Sequence, residues 1–227
     1  MRARGCIELR RVNVRFTAPR SGPWGLRRRP VTVLHDIDLT LRPGEVFSLI
    51  GESGSGKTTL LNTLLGFAGI AAAGQIRYDG RPLSRDRRGR VHGLRPFTQL
   101  IFQDPAEALN PYWSIARAIG EPLYAQGVRP RQRRIRVARL AALMELAPEL
   151  LNRRAGQLSG GQRQRVCIAR ALAASPRWLL MDEPLSSLDA PIRRSITDLL
   201  VRIAEKGEST LLMVTHQLEL VQRLGGQ

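Results

Sequence analysis

A glycine-rich segment near the start of the chain contains the residue types that bind phosphate groups. Residues 51–59 read GESGSGKTT, after an apolar run at 46–50 and before apolar residues with helical spacing. Glycines let such a loop turn its backbone N–H groups toward phosphate oxygens, and the following helix N-terminus favours the same anion. Lys57 can reach the β- and γ-phosphates, and the Thr58 hydroxyl can ligate Mg²⁺.

The alternative for this segment is a glycine-rich turn with an incidental Lys-Thr pair. The strand before it and the helix after it favour a nucleoside triphosphate site instead. We expect the loop to be formed by Gly51, Glu52, Ser53, Gly54, Ser55, Gly56, Lys57, Thr58 and Thr59.

Two further segments place polar groups beside buried strands or helices. Residues 178–183 read WLLMDE, and a carboxylate at the end of such a strand lies where open α/β sheets bind ligands. Asp182 can hold Mg²⁺ through its water shell, and Glu183 is available to orient or deprotonate an attacking water. In LSGGQ (158–162), Ser159 can cap the helix predicted at 163–174, and the two glycines leave amides open to an anion.

The remaining pattern predicts an antiparallel β layer that leads into an α/β core. Alternating residues at 7–16 and a second run at 31–41 predict two strands, with an exposed loop between them. We expect a strand and turn at 75–80, an irregular segment at 84–95, a strand at 97–102, helices over 114–144 with a break at 127–130, and a buried strand at 211–214 that ends just before His216. Phe16 could stack on an adenine ring or face the core, and the pattern alone does not decide.

The composition is that of one globular domain. The chain has 227 residues and 43% hydrophobic residues, no run approaches the ~20 apolar residues of a membrane span, and the N-terminus lacks an apolar signal core. Cys6 and Cys167 have no metal-like spacing, so we expect reduced, buried thiols in the cytoplasm.

The net charge of +17 raises the question of nucleic-acid binding. Lys57 and Lys206 are the only lysines in the sequence, so almost all of the basic residues are arginine, as expected from a GC-rich genome. The arginines are spread along the chain, and we interpret the basic stretch at 131–139 as a solvated helix face. We therefore expect no nucleic-acid partner, and contact with anionic lipid or an acidic partner accounts for the charge somewhat better.

Six motifs occur along the chain in the order that one family shows. The chain resembles the nucleotide-binding subunit of an ABC (ATP-binding cassette) transporter over nearly its whole length. The motifs are GESGSGKT as Walker A, Gln103 as the Q-loop glutamine, LSGGQ as the signature, LLMDE as Walker B, Ser187-Leu188-Asp189 as the D-loop and His216 as the switch histidine.

The resemblance implies an α/β fold of the P-loop NTPase type. Residues 1–227 would form one ABC ATPase domain, with a RecA-like lobe at about 1–103 and 175–227 and a helical lobe at about 104–174. An antiparallel β subdomain would lie at the N-terminus. Family members usually continue past the switch histidine with a helix and strands, so we expect the C-terminal end of the usual cassette to be missing.

The resemblance also implies roles for individual residues, with ATP and Mg²⁺ as cofactors. Two cassettes would pack head to tail, each ATP lying between Walker A of one and the signature of the other. Glu183 would be the general base, His216 would contact the γ-phosphate, and Lys57 would bind phosphate. Gln103 would bind Mg²⁺ or the attacking water and link to a transmembrane partner. The further ATP contacts implied are Phe16 at the adenine (Trp24 being the weaker candidate), Asp189 at the dimer contact, and Ser159, Gly160, Gly161 and Gln162 of the signature.

Three segments resemble those of the ATP-binding subunits of dipeptide, oligopeptide and nickel importers. They are IFQDP (101–105), LNP (109–111) and residues 162–172. This implies a peripheral subunit on the cytoplasmic face of the inner membrane that energises solute import. Its partners would be a second cassette, identical or different, and permease subunits, with an extracytoplasmic substrate-binding protein acting indirectly.

Two alternatives belong to other classes. A soluble cassette acting on nucleic acid or ribosomes usually has tandem cassettes or a long coiled coil between Walker A and the signature, and this sequence has neither. A degenerate cassette that only binds ATP is disfavoured by the intact Glu183, His216 and LSGGQ, and mildly favoured by the short C-terminus.

Overall fold

The computed structural model describes residues 5–17, 30–52, 54–66, 71–85, 91–92, 94, 98–207, 209–216 and 221–223. The strands are β1 (Ile7–Thr17), β2 (Pro30–Leu41), β3 (Val46–Leu49), β4 (Ala71–Tyr78), β5 (Arg81–Pro82), β6 (Ser84–Arg85), β7 (Val91–His92), β8 (Thr98–Ile101), β9 (Trp178–Asp182) and β10 (Thr210–Val214). The α-helices are α1 (Lys57–Leu65), α2 (Pro105–Ala108), α3 (Ile115–Ala125), α4 (Pro130–Leu143), α5 (Gly160–Ala173) and α6 (Ala190–Glu205). Ser53 and Trp24 lie outside the described residues.

A four-stranded parallel sheet is the centre of the fold, with strand order β3-β10-β9-β8. Side chains along a strand point alternately to opposite faces. Leu179 and Met181 of β9 therefore pack with α5 and α6 on one face, whereas Trp178 and Leu180 pack with α1 on the other. The two central strands, β9 and β10, are buried throughout, which explains their apolar sequences and confirms the strands predicted there.

An antiparallel sheet of order β2-β1-β4-β5 covers the α1 side of the parallel sheet. Its pairings confirm the predicted N-terminal β layer. The indole Nε1 of Trp178 donates a 2.9 Å hydrogen bond to the carbonyl of Gly5, which ties the two sheets together.

The prediction of two buried thiols is half wrong, because Cys6 is half-exposed. Burial raises the pKa of the Cys167 thiol to about 11.

The chain between β8 and β9 is mainly helical. Helices α3, α4 and α5 pack on one another, and the predicted break is confirmed, with α4 starting at Pro130. Arg165 is 9% exposed, and its guanidinium donates to the carbonyls of Met144 and Glu145, which fixes α5 to the end of α4. The arginines of α4 are mostly exposed, as predicted.

One prediction about local structure is wrong. The segment at 84–95, expected to be irregular, contains the short antiparallel pair β6 and β7. Two-residue strands are too short to produce a detectable alternation in the sequence. Across the described part of the chain, no helix has the length and apolar character that crossing a membrane requires.

Candidate active site

The loop between β3 and α1 leaves the start of α1 open. Gly56 is the residue before the helix, with φ +95°, and no side chain in the described residues caps α1 there. A Cβ at Gly56 would lie 2.7 Å from Leu34 Cδ2, so a side chain here would both strain the backbone and force Leu34 to shift. The amides of the first helical turn are therefore available to an anion.

Lys57 folds back over this loop. Its Nζ donates hydrogen bonds of 2.8 Å to the carbonyl of Gly51, 2.6 Å to that of Glu52 and 3.2 Å to Ser55 Oγ. These bonds hold the ammonium group at the centre of the loop. There it can donate hydrogen bonds to phosphate oxygens in place of the loop oxygens.

The opposite wall is formed by residues at the ends of three adjacent strands. Gln103 follows β8, Glu183 follows β9 and His216 follows β10. Glu183 Oε2 accepts a 3.5 Å hydrogen bond from Gln103 Nε2, and Glu183 Oε1 lies 3.2 Å from His216 Nδ1. Because parallel strands end at the same edge, residues distant in sequence surround one carboxylate.

Thr58 and Asp182 meet between the loop and the strand ends. The Thr58 hydroxyl donates a 2.6 Å hydrogen bond to Asp182 Oδ2, and Asp182 is 7% exposed. A hydroxyl and a carboxylate are hard oxygen donors of the kind that Mg²⁺ prefers, and Gln103, which lines the same pocket, carries an amide oxygen of the same kind. The donor set fits Mg²⁺.

The structure places most of the predicted site residues around one pocket of about 400 Å³. Its predicted members are Gly51, Glu52, Gly54, Gly56, Lys57, Thr58, Thr59, Gln103, Asp182, Glu183 and His216. Val33 and Val214 also line it. Sequence analysis missed both valines, because an apolar strand residue carries no local sign that it faces a ligand rather than the core.

The predicted signature residues do not line this pocket. Ser159 is the N-cap of α5, and Ser159 and Gln162 bond reciprocally, at 3.3 Å from the Gln162 N–H to Ser159 Oγ and 3.0 Å from the Ser159 N–H to Gln162 Oε1. A Cβ at Gly161 would lie 3.4 Å from the carbonyl oxygen of Ser187, so the signature borders the turn before α6. Asp189 caps α6 by accepting from the Ile192 N–H.

Phe16 also lies outside the pocket lining. It is half-buried near the end of β1 and packs against the apolar cluster beneath the antiparallel sheet. This placement agrees with a core-facing residue, and adenine stacking by Phe16 stays a prediction.

Known proteins match both the sequence and this geometry. A sequence profile described as "ABC transporter" matches residues 34–186, more than half of the chain. The chain belongs to the ABC transporter family. The nickel import ATP-binding protein NikE of Brucella suis biovar 1 (strain 1330) is 41% identical over 197 residues, covering 86% of this chain and 74% of that protein.

Two further matches extend this result. The glutathione import ATP-binding protein GsiA of Shigella dysenteriae serotype 1 (strain Sd197) is 38% identical over 221 residues, covering 96% of this chain and 35% of that protein. The dimeric ATP-binding cassette MJ0796 in a post-hydrolysis state, bound to ADP and Pi, has a TM-score of 0.80 and 27% identity over 96% of this chain and 90% of its own. The predicted cassette fold is confirmed, and the chain is an ATP-binding ATPase of the ABC transporter family.

Proposed function

We propose that this ATPase uses Mg²⁺ and ATP in the pocket between the glycine-rich loop and the strand ends, with Glu183 as the general base. The observation that carries the proposal is the position of the Glu183 carboxylate, between Gln103 and His216 and on the same pocket as Lys57. A group that accepts the proton of an attacking water must lie within hydrogen-bond reach of it, at the γ-phosphate end of the site.

Each residue has a distinct task in this mechanism. The first-turn amides of α1 and Lys57 bind the β- and γ-phosphate oxygens and stabilise their charge. Thr58 and Asp182 would hold Mg²⁺, which neutralises phosphate charge when bound. Gln103 would hold Mg²⁺ or orient the attacking water, His216 contacts the γ-phosphate, and Glu183 takes the proton.

We propose that a second cassette completes the site. The signature residues Ser159 to Gln162 do not line the pocket of their own chain, so they are available to the ATP of a partner packed head to tail. MJ0796, the structural relative described above, is dimeric. In this arrangement the helical segment at 104–174 is the lobe that presents the signature, Asp189 lies at the dimer contact, and Phe16 stacks on the adenine.

We further propose that the ATPase energises uptake of a peptide or a nickel-type metal chelate. Relatives at 41% and 38% identity are import ATP-binding proteins for nickel and glutathione. The chain would act peripherally at the cytoplasmic face of the inner membrane, with permease subunits as direct partners. An extracytoplasmic substrate-binding protein would act through the permease.

The general-base role is tested with Glu183→Gln, which keeps the shape of the side chain and removes its basicity. We expect turnover to fall by at least about 100-fold, while the Kd for ATP changes less than about threefold. Steady-state phosphate release and fluorescent-nucleotide titration measure the two quantities. Wild-type turnover by this variant would contradict the assignment.

The transport role is tested by purifying a tagged copy from membranes and identifying its partners by mass spectrometry. We expect a permease pair, with a sibling cassette where the dimer is heteromeric. Recovery of ribosomes or DNA without a permease would instead support the soluble alternative.

A further inference from the structure

Gln164 lies on the second turn of α5 and is almost completely buried, with 1% of its surface exposed. Its Nε2 donates a 2.8 Å hydrogen bond to the carbonyl of Pro184, the residue that follows Glu183. A carbonyl can only accept, so this contact fixes which end of the Gln164 amide faces Pro184. The helix that begins with the signature is thereby joined to the peptide next to Glu183.

The backbone at Glu183 needs such support. Glu183 has φ +44°, a left-handed conformation that costs a residue with a side chain about 1–2 kcal/mol. Its N–H donates a 2.9 Å hydrogen bond to the carbonyl of Val214 in β10, and its carbonyl accepts from Ser186 Oγ at 3.0 Å and from the Ser186 N–H at 3.3 Å. The bond from Gln164 to the next residue, Pro184, adds an anchor from a helix to these three hydrogen bonds.

Packing alone does not account for an amide at position 164. Gln164 Oε1 is buried and has no hydrogen-bond partner among the described residues. An unpaired buried amide oxygen is destabilising, and a leucine would fill similar space without it. The amide therefore makes one productive bond, the one to Pro184.

We infer that Gln164 is a positioning residue, which holds Glu183 in its hydrolytic conformation and ties that conformation to the position of the signature helix. The inference rests on the proposed role of Glu183. Gln164 does not line the nucleotide pocket. Its effect reaches the reaction through the Pro184 peptide, so it should act on turnover rather than on ATP affinity.

The main test compares Gln164→Leu with Gln126→Leu in the full chain. Gln126 Nε2 donates a 2.9 Å bond to the carbonyl of Ala174, at the other end of α5, so the control removes the same type of bond. We expect Gln164→Leu to lower kcat by about 10- to 100-fold, as a misplacement of roughly 1 Å does. The KM for ATP should stay within about threefold, and Gln126→Leu should keep wild-type kcat.

A second variant keeps the test informative where Gln164→Leu fails to fold. In Gln164→Glu, a buried carboxyl has a raised pKa and donates to Pro184 only when protonated. We expect its kcat, relative to wild type, to recover as the assay moves from about pH 8 to about pH 6. A ratio independent of pH would overturn the inference.

Combining Gln164→Leu with Glu183→Gln separates this inference from the general-base proposal. If Gln164 acts through Glu183, the double variant should lose no more single-turnover rate than Glu183→Gln alone. Additive losses in the double variant would overturn the positioning role only. Wild-type kcat in Gln164→Leu, with Glu183→Gln inactive, would do the same. Wild-type turnover in Glu183→Gln would instead remove the general-base proposal.

Discussion

The N-termini of α1 and α5 are built in opposite ways, although both follow glycine-containing loops of the ATPase. At α1 the residue before the helix is Gly56, which has no side chain to cap the first turn. At α5 that residue is Ser159, which bonds reciprocally with Gln162. In the described residues no side chain caps the start of α1, whereas at the start of α5 one amide, the Gln162 N–H, is capped by Ser159.

The start of α1 therefore depends on an outside acceptor for its amides. At the start of α5, a side chain of the same chain supplies one acceptor. Amides left open at a helix start can be satisfied by phosphate at no cost to an existing cap. At α5 the Gln162 N–H must give up its bond to Ser159 before it can donate to a phosphate oxygen. The Gln162 N–H should therefore leave Ser159 only when a partner's nucleotide supplies a stronger acceptor.

The largest effect is expected for Lys57→Ala, which removes the charge at the open helix start. Losing a charge-assisted contact to phosphate should weaken ATP binding by about 100-fold. Lys206→Ala is the matched control, because Lys206 is exposed at the end of α6. Fluorescent-nucleotide titration gives both affinities. Normal ATP binding by Lys57→Ala would show that the loop is not the phosphate site.

Gly56→Ala tests whether the open start depends on glycine. It adds strain at φ +95° and places a methyl group against Leu34, so we expect a loss of about 2–4 kcal/mol in unfolding free energy. Gly127→Ala has a similar strain at φ +71° with no atom within 4 Å, and should lose only about 1–2 kcal/mol. Urea unfolding measures both, and equal losses would show that the contact with Leu34 relaxes freely.

Ser159→Ala gives the smallest change in stability and sharpens the comparison most. Ser159 and Ser114 each cap a helix through a 3.3 Å bond, to the N–H of Gln162 and of Arg117 respectively. Both alanine variants should lose about 1 kcal/mol. If Ser159 also contacts the partner's ATP, Ser159→Ala alone should lower turnover at high protein concentration. Equal turnover in the two variants would restrict Ser159 to a capping role.

Much of the fold follows from local patterns in the sequence. The continuous apolar runs at 178–181 and 211–214 predict buried strands, and Ser159 marks a helix start, because burial and capping act over a few residues. The four-residue helix α2 and the pair β6–β7 are missed, since elements of this length have no period to detect.

The missed features of the site depend on long-range contacts. Val33 reaches the pocket because β2 passes beside Gly56, and nothing in the residues around Val33 indicates this. The left-handed backbone of Glu183 and the bond from Gln164 to Pro184 arise from packing between β9, β10 and α5. The residue types at the site were predictable, but the contacts that hold them in place were not.

The strand order also determines when the nucleotide pocket can form during synthesis. Among the described strands, β3 pairs only with β10, which is made after almost all of the described chain. Pairings between such distant segments form slowly, since the intervening chain must first be organised. A nascent chain therefore displays the whole glycine-rich loop on the ribosome well before the strand that supports it has a neighbour. ATP binding by the growing chain should appear only after β10 has emerged.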